Sequence, residues 1–308
     1  MIVRQMPGGL KLFFLLQGSI VPRILPQILC ITVAAFGVAV ANAFFPSLFP
    51  DFTLAPLALL GVALSLFLGF RNNACYDRWW EARKQWGQLV VDSRSLVRQV
   101  QAYTDSALPG SRQDAARVAH LTIAFAHALR HQLRHSEPWD DLAYSLEAEE
   151  LNWLRRQHNV ADAILRRLSF VLGECRTRGG LSDMMLQKIE DRITSMATVQ
   201  ASCERIQTTP LPFAYMLLVH RTAYLYCFIL PFGMVASQGF LTPVFCAIIG
   251  YAFFGLDALG AELEEPFGME ANDLALSAMC RTIEINLLDV IDYQPLPEPL
   301  AAKHYRLT

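Results

Sequence analysis

The chain reads as an all-α membrane protein, and three observations carry that expectation. Hydrophobic residues make up 53% of its 308 positions and charged residues only 18%, with a mean hydropathy of +0.29. A soluble domain carries about a quarter charged residues. Uncharged or nearly uncharged stretches come in two pairs, residues 24–50 with 52–70 and 213–236 with 240–256. Between and after them, apolar residues recur at helical spacing, and strand-like alternation persists nowhere.

The elements follow in order. Residues 1–23 hold Arg4, Lys11 and Arg23 and form a cytosolic or interfacial segment. Residues 24–50 contain no charge. Ala41-Asn42-Ala43 resembles a signal-peptidase site, but the segment before the apolar run is too long and the run itself exceeds a typical signal core. This first stretch is read as a retained span. The second, residues 52–70, would rise roughly 28 Å as a helix, about the thickness of a bilayer core. No proline separates it from the charged sequence that begins at Arg71, so one helix is expected to run through both. Residues 71–212 form a helical cytosolic insert divided at Pro138, Asn159, Gly179-Gly180 and Pro210, with Ser111 as a helix cap and Asp114 in that helix's first turn. Residues 213–256 supply the third and fourth spans, residues 257–290 a further cytosolic helical segment, and residues 291–308 a proline-rich tail read as extended or mobile. The connections 45–51 and 237–239 carry no lysine or arginine, whereas the opposite sides do, which places both termini and the insert in the cytoplasm.

Several function classes drop out. A net charge of −2 removes a whole-chain case for nucleic-acid binding. Seven widely spaced cysteines without a C-x-x-C form neither a disulfide framework nor a zinc knuckle, and are read as packing residues. There is no phosphate-binding glycine loop and no G-x-S-x-G, so no catalytic residue and no cofactor is expected. His127, His131 and His135 lie four apart and would share a helix face, a spacing that can bind zinc. A solvated or interhelical histidine row is the preferred reading, and a four-span membrane metalloenzyme the alternative. The tryptophans at 79, 80, 86 and 139 are read as packing and interface residues.

One row on the second span is distinctive. Val62, Leu66 and Phe70 stand at i, i+4 and i+8 on one helix face. By itself this row is read first as a lipid-facing or core stripe. Small residues at Gly61, Ala63, Ser65 and Gly69 occupy other faces and would let neighbouring helices approach closely.

The stretch FLGFRNNACYDRWWEARKQWG, with Arg78, Trp79 and Trp80, resembles the bestrophin family. So does ELEEPFGMEANDLAL, with Pro266, Phe267 and Gly268, and TPLPFAYMLLVHRTAYL fits as well. Two motifs in order on the expected topology extend the resemblance over nearly the whole chain, closest to the bacterial branch. It implies a homopentameric ion channel whose pore lies on the fivefold axis, within membrane lipid. Val62, Leu66 and Phe70 would form its three-ring neck. A second, cytosolic aperture would fall at Met184, with Met185 and Leu181 as alternatives.

The chain departs from animal members in the acidic run after P-F-G, which here offers only Glu270, Asn272 and Asp273. Calcium takes six to eight oxygens, so calcium-dependent gating is not expected; weak cation binding at Glu265, Asn272 or Asp273 is the residual option. For the permeant ion, Asp51 at the outer mouth would favour Na+ or K+, while helix N-termini there would favour Cl−. The bacterial branch tips the reading toward cations. Arg221 lies inside the third span and would need a partner. Depth counting from the helix ends offers Asp257, with Glu262 as the alternative. A non-conducting scaffold is the remaining rival.

Overall fold

The computed structural model describes residues 1–4, 8–9, 11, 15–49, 54–105 and 109–308, the side chain of residue 48 excepted. Among these the only regular elements are helices, apart from isolated single-residue bridges. In chain order they are α1 (Val21–Phe44), α2 (Ala55–Tyr103), α3 (Ser111–Leu133), α4 (Trp139–Ser145), α5 (Ala148–Leu154), α6 (Val160–Thr177), α7 (Asp183–Thr208), α8 (Phe213–Gln238), α9 (Thr242–Glu264) and α10 (Leu276–Val290). The chain divides into an apolar unit, Arg4–Trp79 with Pro210–Pro266, and a charged unit, Met1–Val3 with Trp80–Thr209 and Phe267–Thr308.

Helix α2 is unbroken over 49 residues, about 74 Å of helix. No proline intervenes, and the packing of both halves outweighs the modest helix propensity of residues such as Asn72 and Asn73, so the change of composition does not end the helix. It gives its first half to the apolar unit and its second half to the charged unit.

Among the described residues three helical stretches are long and apolar enough to cross a membrane: Val21–Phe44, Ala55–Tyr103, whose second half belongs to the charged unit, and Phe213–Glu264. The last folds back on itself through a 3-10 turn at Gly239–Leu241. The ring pairs Tyr226–Phe253 and Tyr224–Phe254, with centroids 5.2 and 4.8 Å apart, have numbers that rise on one helix as they fall on the other, so α8 and α9 are antiparallel. Helix α2 is antiparallel to α8 by the same test. Leu57 lies against Gly233, Gly61 against Tyr226, and Tyr215 Oη donates to the Phe67 carbonyl at 3.0 Å. Between α2 and α9 the offset is constant: Arg71 meets Asp257 and Arg78 meets Glu264, each 186 residues apart, so these two run parallel. The shared core holds Ile24, Ile31 and Ala35 of α1, Leu64 and Leu68 of α2, Ala223, Tyr226 and Cys227 of α8, and Cys246 and Phe254 of α9. Gly61 is spent inside the protomer, since a Cβ there would lie 2.6 Å from the Tyr226 hydroxyl. The close approach expected at this small residue is made here by α8.

The charged unit is organised around α3, whose residues 121–129 are all buried. Leu168 and Leu172 of α6, Ile189 and Met196 of α7, and Cys280 and Leu287 of α10 are buried in the same unit, and the Cys280 thiol donates to the Ala126 carbonyl of α3 at 3.3 Å. The expected breaks occur. Pro138 precedes α4, Asn159 caps α6 by accepting from the Asp162 amide at 3.1 Å, and α7 stops before Pro210. The cap of α3 is Gly110 rather than Ser111, whose hydroxyl instead donates to the Asp105 carbonyl at 2.5 Å. The tail is docked rather than loose: the Val3 amide donates to the Tyr305 carbonyl and the Ala278 amide to the Thr308 carbonyl, both at 2.8 Å.

Candidate functional site

Two faces of α2 differ sharply. Leu64 and Leu68 are 2% and 0% exposed, packed in the core of the apolar unit. Val62, Leu66 and Phe70 are 68%, 55% and 57% exposed. A two-residue step is about 200° on a helix, so the row points away from its own protomer. Ala63 and Ser65 share the exposed side, and the Ser65 hydroxyl is turned back to the Val62 carbonyl at 2.8 Å. What the protomer offers along this face is a strip of apolar side chains with no polar group directed outward at the row itself.

Directly below the row lies a charged cluster. Arg71 of α2 is 5% exposed and its Nη1 donates to Asp257 Oδ1 and, at 3.3 Å, to the Asp257 carbonyl. Asp257 is 8% exposed, and its other carboxylate oxygen lies 2.7 Å from His220 Nδ1 of α8. Two helical turns further on, Arg78 Nε donates to the Glu264 carbonyl at 2.7 Å, while Glu264 Oε1 accepts the Leu211 amide at 3.1 Å.

The expected Arg221–Asp257 bridge is therefore replaced. The depth was right, since His220 reaches Asp257, but one residue is 100° of helix and turns Arg221 to the exposed side. Glu262, the alternative partner, faces Arg23 at 3.6 Å. Arg71 was missed. Its signal was present as the first charge after an uncharged span, seven residues before Arg78, just as Asp257 is the first charge after another and stands seven residues before Glu264.

The other expected positions fall as follows. Asp51 lies outside the described residues. Met184 is 71% exposed in the first turn of α7, Met185 is half-buried, and Leu181 is 4% exposed and faces the core of the charged unit, which removes it as a rim residue. Ser182 caps this helix by accepting from the Met185 amide at 3.4 Å. Trp79 stacks on Tyr76, and Trp80 is 47% exposed. Pro266 and Phe267 are buried and Gly268 half-buried. The Phe267 and Leu274 carbonyls accept from Arg134, which also donates to Ser277 Oγ at 2.9 Å. Burial, with Arg130 nearby, holds the Arg134 guanidinium below its ordinary value.

The loop after P-F-G gives no support to a cation site. Asp273 is 3% exposed, and its carboxylate is turned inward to accept the Glu270 amide at 2.6 Å. Among the described residues no group of three or more His, Cys, Asp or Glu side chains is arranged to hold a metal ion. The histidine row also differs from expectation. Helix α3 ends at Leu133, so His135 has left the helix and stands in a left-handed conformation. His127 lies 3.8 Å from both Asp141 and Glu284, and His131 Nε2 is 2.7 Å from Asp141. Arg130 also pairs with Asp141, so a guanidinium already supplies the cation there.

The comparisons with known proteins agree with one another. Residues 1–289 match the profile of the family described as Bacterial/Fungal Bestrophin protein. A voltage-dependent anion channel-forming protein of Mesorhizobium japonicum is 44% identical over 99% of this chain and 96% of its own. The voltage-dependent anion channel-forming protein YneE of Escherichia coli K12 is 42% identical, with 100% of both chains covered. Among solved structures, a bacterial bestrophin homologue from Klebsiella pneumoniae superposes with a TM-score of 0.84 at 38% identity, over 88% of this chain and 100% of that one. An all-helical fold and two motifs in register, matched by a family profile along nearly the full length, lead to one conclusion: the chain belongs to the bacterial and fungal bestrophins.

Proposed function

We propose that this protein is a passive channel for small monovalent ions, built as a homopentamer in the inner membrane of a bacterium, and not an enzyme. The observation that carries the reading is the exposure of Val62, Leu66 and Phe70 on the face of α2 opposite the one packed in the protomer. Five copies of that row around a common axis would make three stacked apolar collars. A narrow apolar passage loses its water, and an ion entering it must give up hydration with no compensating ligand. A small widening rewets it. Met184, exposed on a flexible side chain, is the best placed residue for a second constriction.

Orientation is part of the same proposal. Helices α2 and α9 run one way and α8 the other, and lysine and arginine are absent from residues 45–51 and 237–239. Four spans with both termini in the cytoplasm satisfy both facts.

Two readings of the permeant ion remain in play, each with its own support. A ring of Asp51 carboxylates, if the outer mouth carried one, would favour Na+ or K+, whereas the relatives carry the name of anion channels, which favours Cl−. A planar-bilayer recording of the purified protein under asymmetric KCl, then NaCl, decides between them by the sign of the reversal potential. Discrete unitary currents are expected. Their absence from folded, reconstituted protein would point instead to a scaffold.

A further inference from the structure

Asp257 is a single carboxylate shared by three helices. Its backbone belongs to α9, one oxygen receives Arg71 of α2, and the other is 2.7 Å from His220 of α8. The arginine lies beside Gly260 of α9, where an added Cβ would be in ordinary van der Waals contact with it and would crowd its neighbour Asn72. One turn along α9, a Cβ on Gly260 would lie 2.5 Å from Asn72 Oδ1 and 3.5 Å from the Arg71 guanidinium carbon. Arg71 Nε and Asn72 Oδ1 are buried with no hydrogen-bond partner, so the guanidinium has little besides Asp257 to hold its charge.

Arg71 follows Phe70 directly on a continuous helix. Any rotation or outward tilt of α2 that carries the Phe70 ring off the neck also draws the neighbouring guanidinium out of its seat. A buried cation separated from its carboxylate is costly. The row on one face and the ion pair on another are thus mechanically one element.

We propose that the Asp257 carboxylate is the latch that fixes the resting position of the neck, acting through Arg71 as a positioning residue; this rests on the neck reading given above. His220 ties the same carboxylate to α8, so the latch is braced from two sides. The consequence is specific: weakening it changes how often the pore opens, not what passes once it is open.

The test is single-channel recording from purified, reconstituted protein in symmetric KCl. Asp257→Asn keeps the side-chain shape but removes the charge facing Arg71; it should raise open probability by about fivefold or more, with unitary conductance and reversal potential unchanged. Asp257→Glu should restore most of the wild-type open probability. Arg71→Gln combined with Asp257→Asn should add nothing to either single change, because one contact is lost in all three. A merely structural role would lower the number of active channels without altering the open probability of the survivors, and that result overturns the latch. Phe70→Ala separates the two ideas. If it raises current while Asp257→Asn leaves open probability at the wild-type level, the latch is wrong and the neck stands; if Phe70→Ala changes nothing, both fall. Should Asp257→Asn fail to fold, Arg71→Gln alone removes the same contact from the α2 side and must raise open probability in the same way, or the proposal is lost.

Discussion

The two halves of α2 obey opposite rules. Residues 55–70 contain no charge, bury only Leu64 and Leu68, and leave Leu59, Val62, Leu66, Phe67 and Phe70 exposed. Residues 80–103 contain six charges and bury Ala82, Trp86, Leu89, Leu96, Val97 and Val100 on a single stripe. In the second half the protomer completes its own core, as water requires. In the first half it does not, and apolar side chains face outward on nearly every turn. The difference teaches where to look for the rest of the assembly: only lipid or other copies of the chain can cover the first half.

The sharpest way to break that comparison is a pair of truncations. Trp86→Ala, in the half that completes its own core, should cost about 3–5 kcal/mol, read as a large fall in melting temperature in detergent. Leu66→Ala, in the other half, should cost the protomer no more than about 0.5 kcal/mol yet raise the bilayer current. If Leu66→Ala proved as destabilising as Trp86→Ala, the two halves would not differ as described. Next in size is Gly260→Ala, where overpacking against Asn72 Oδ1 should cost about 1–3 kcal/mol; an unchanged melting temperature would show that the Asn72 side chain gives way.

The charged unit should also carry a pH signature. Burial, reinforced by Arg130 and opposed by the Asp141 hydrogen bond, holds His131 below its ordinary value of 6.5. Burial raises the Glu150 carboxyl, but the hydrogen bonds and charges of Arg117 and Arg167 outweigh it and leave the group below its ordinary 4.5. In both cases the folded value lies under the unfolded one, so the stability they contribute is present above the unfolded value and lost as pH falls. Melting temperature should decline first as pH drops below 6.5 and again below 4.5, and Glu150→Gln should weaken the second stage. The smallest effect is at the thiols. Burial pushes Cys203 and Cys280 up to about 12, so near neutral pH they should label only as the protein unfolds.

Much of this was legible from residue order, and the misses have physical causes. The breaks at Pro138, Asn159 and Pro210 were visible because cap and breaker chemistry is local. The unbroken α2 followed from the absence of proline. Which charged residue meets Asp257 was not legible to a depth count, because depth fixes the level of a side chain and not its bearing. A single residue of helix separates His220, which reaches the carboxylate, from Arg221, which faces outward. The fate of Gly61 was equally hidden, since a small residue permits close approach without naming who approaches. His135 failed as a helix residue because the helix stopped two positions earlier, and helix ends are the least certain part of any reading.

The two ties between α2 and α9 stand seven residues apart on both strands of the contact, Arg71 with Asp257 and Arg78 with Glu264. Seven residues span about 10.5 Å, so a slide of one turn would leave both arginines facing the wrong partners. A ratchet along this seam is therefore forbidden to any shorter stroke. If the exposed row forms the proposed neck, the motion that opens it is a swing or a twist of α2 that frees Arg71 while the lengthwise register of the two helices is kept.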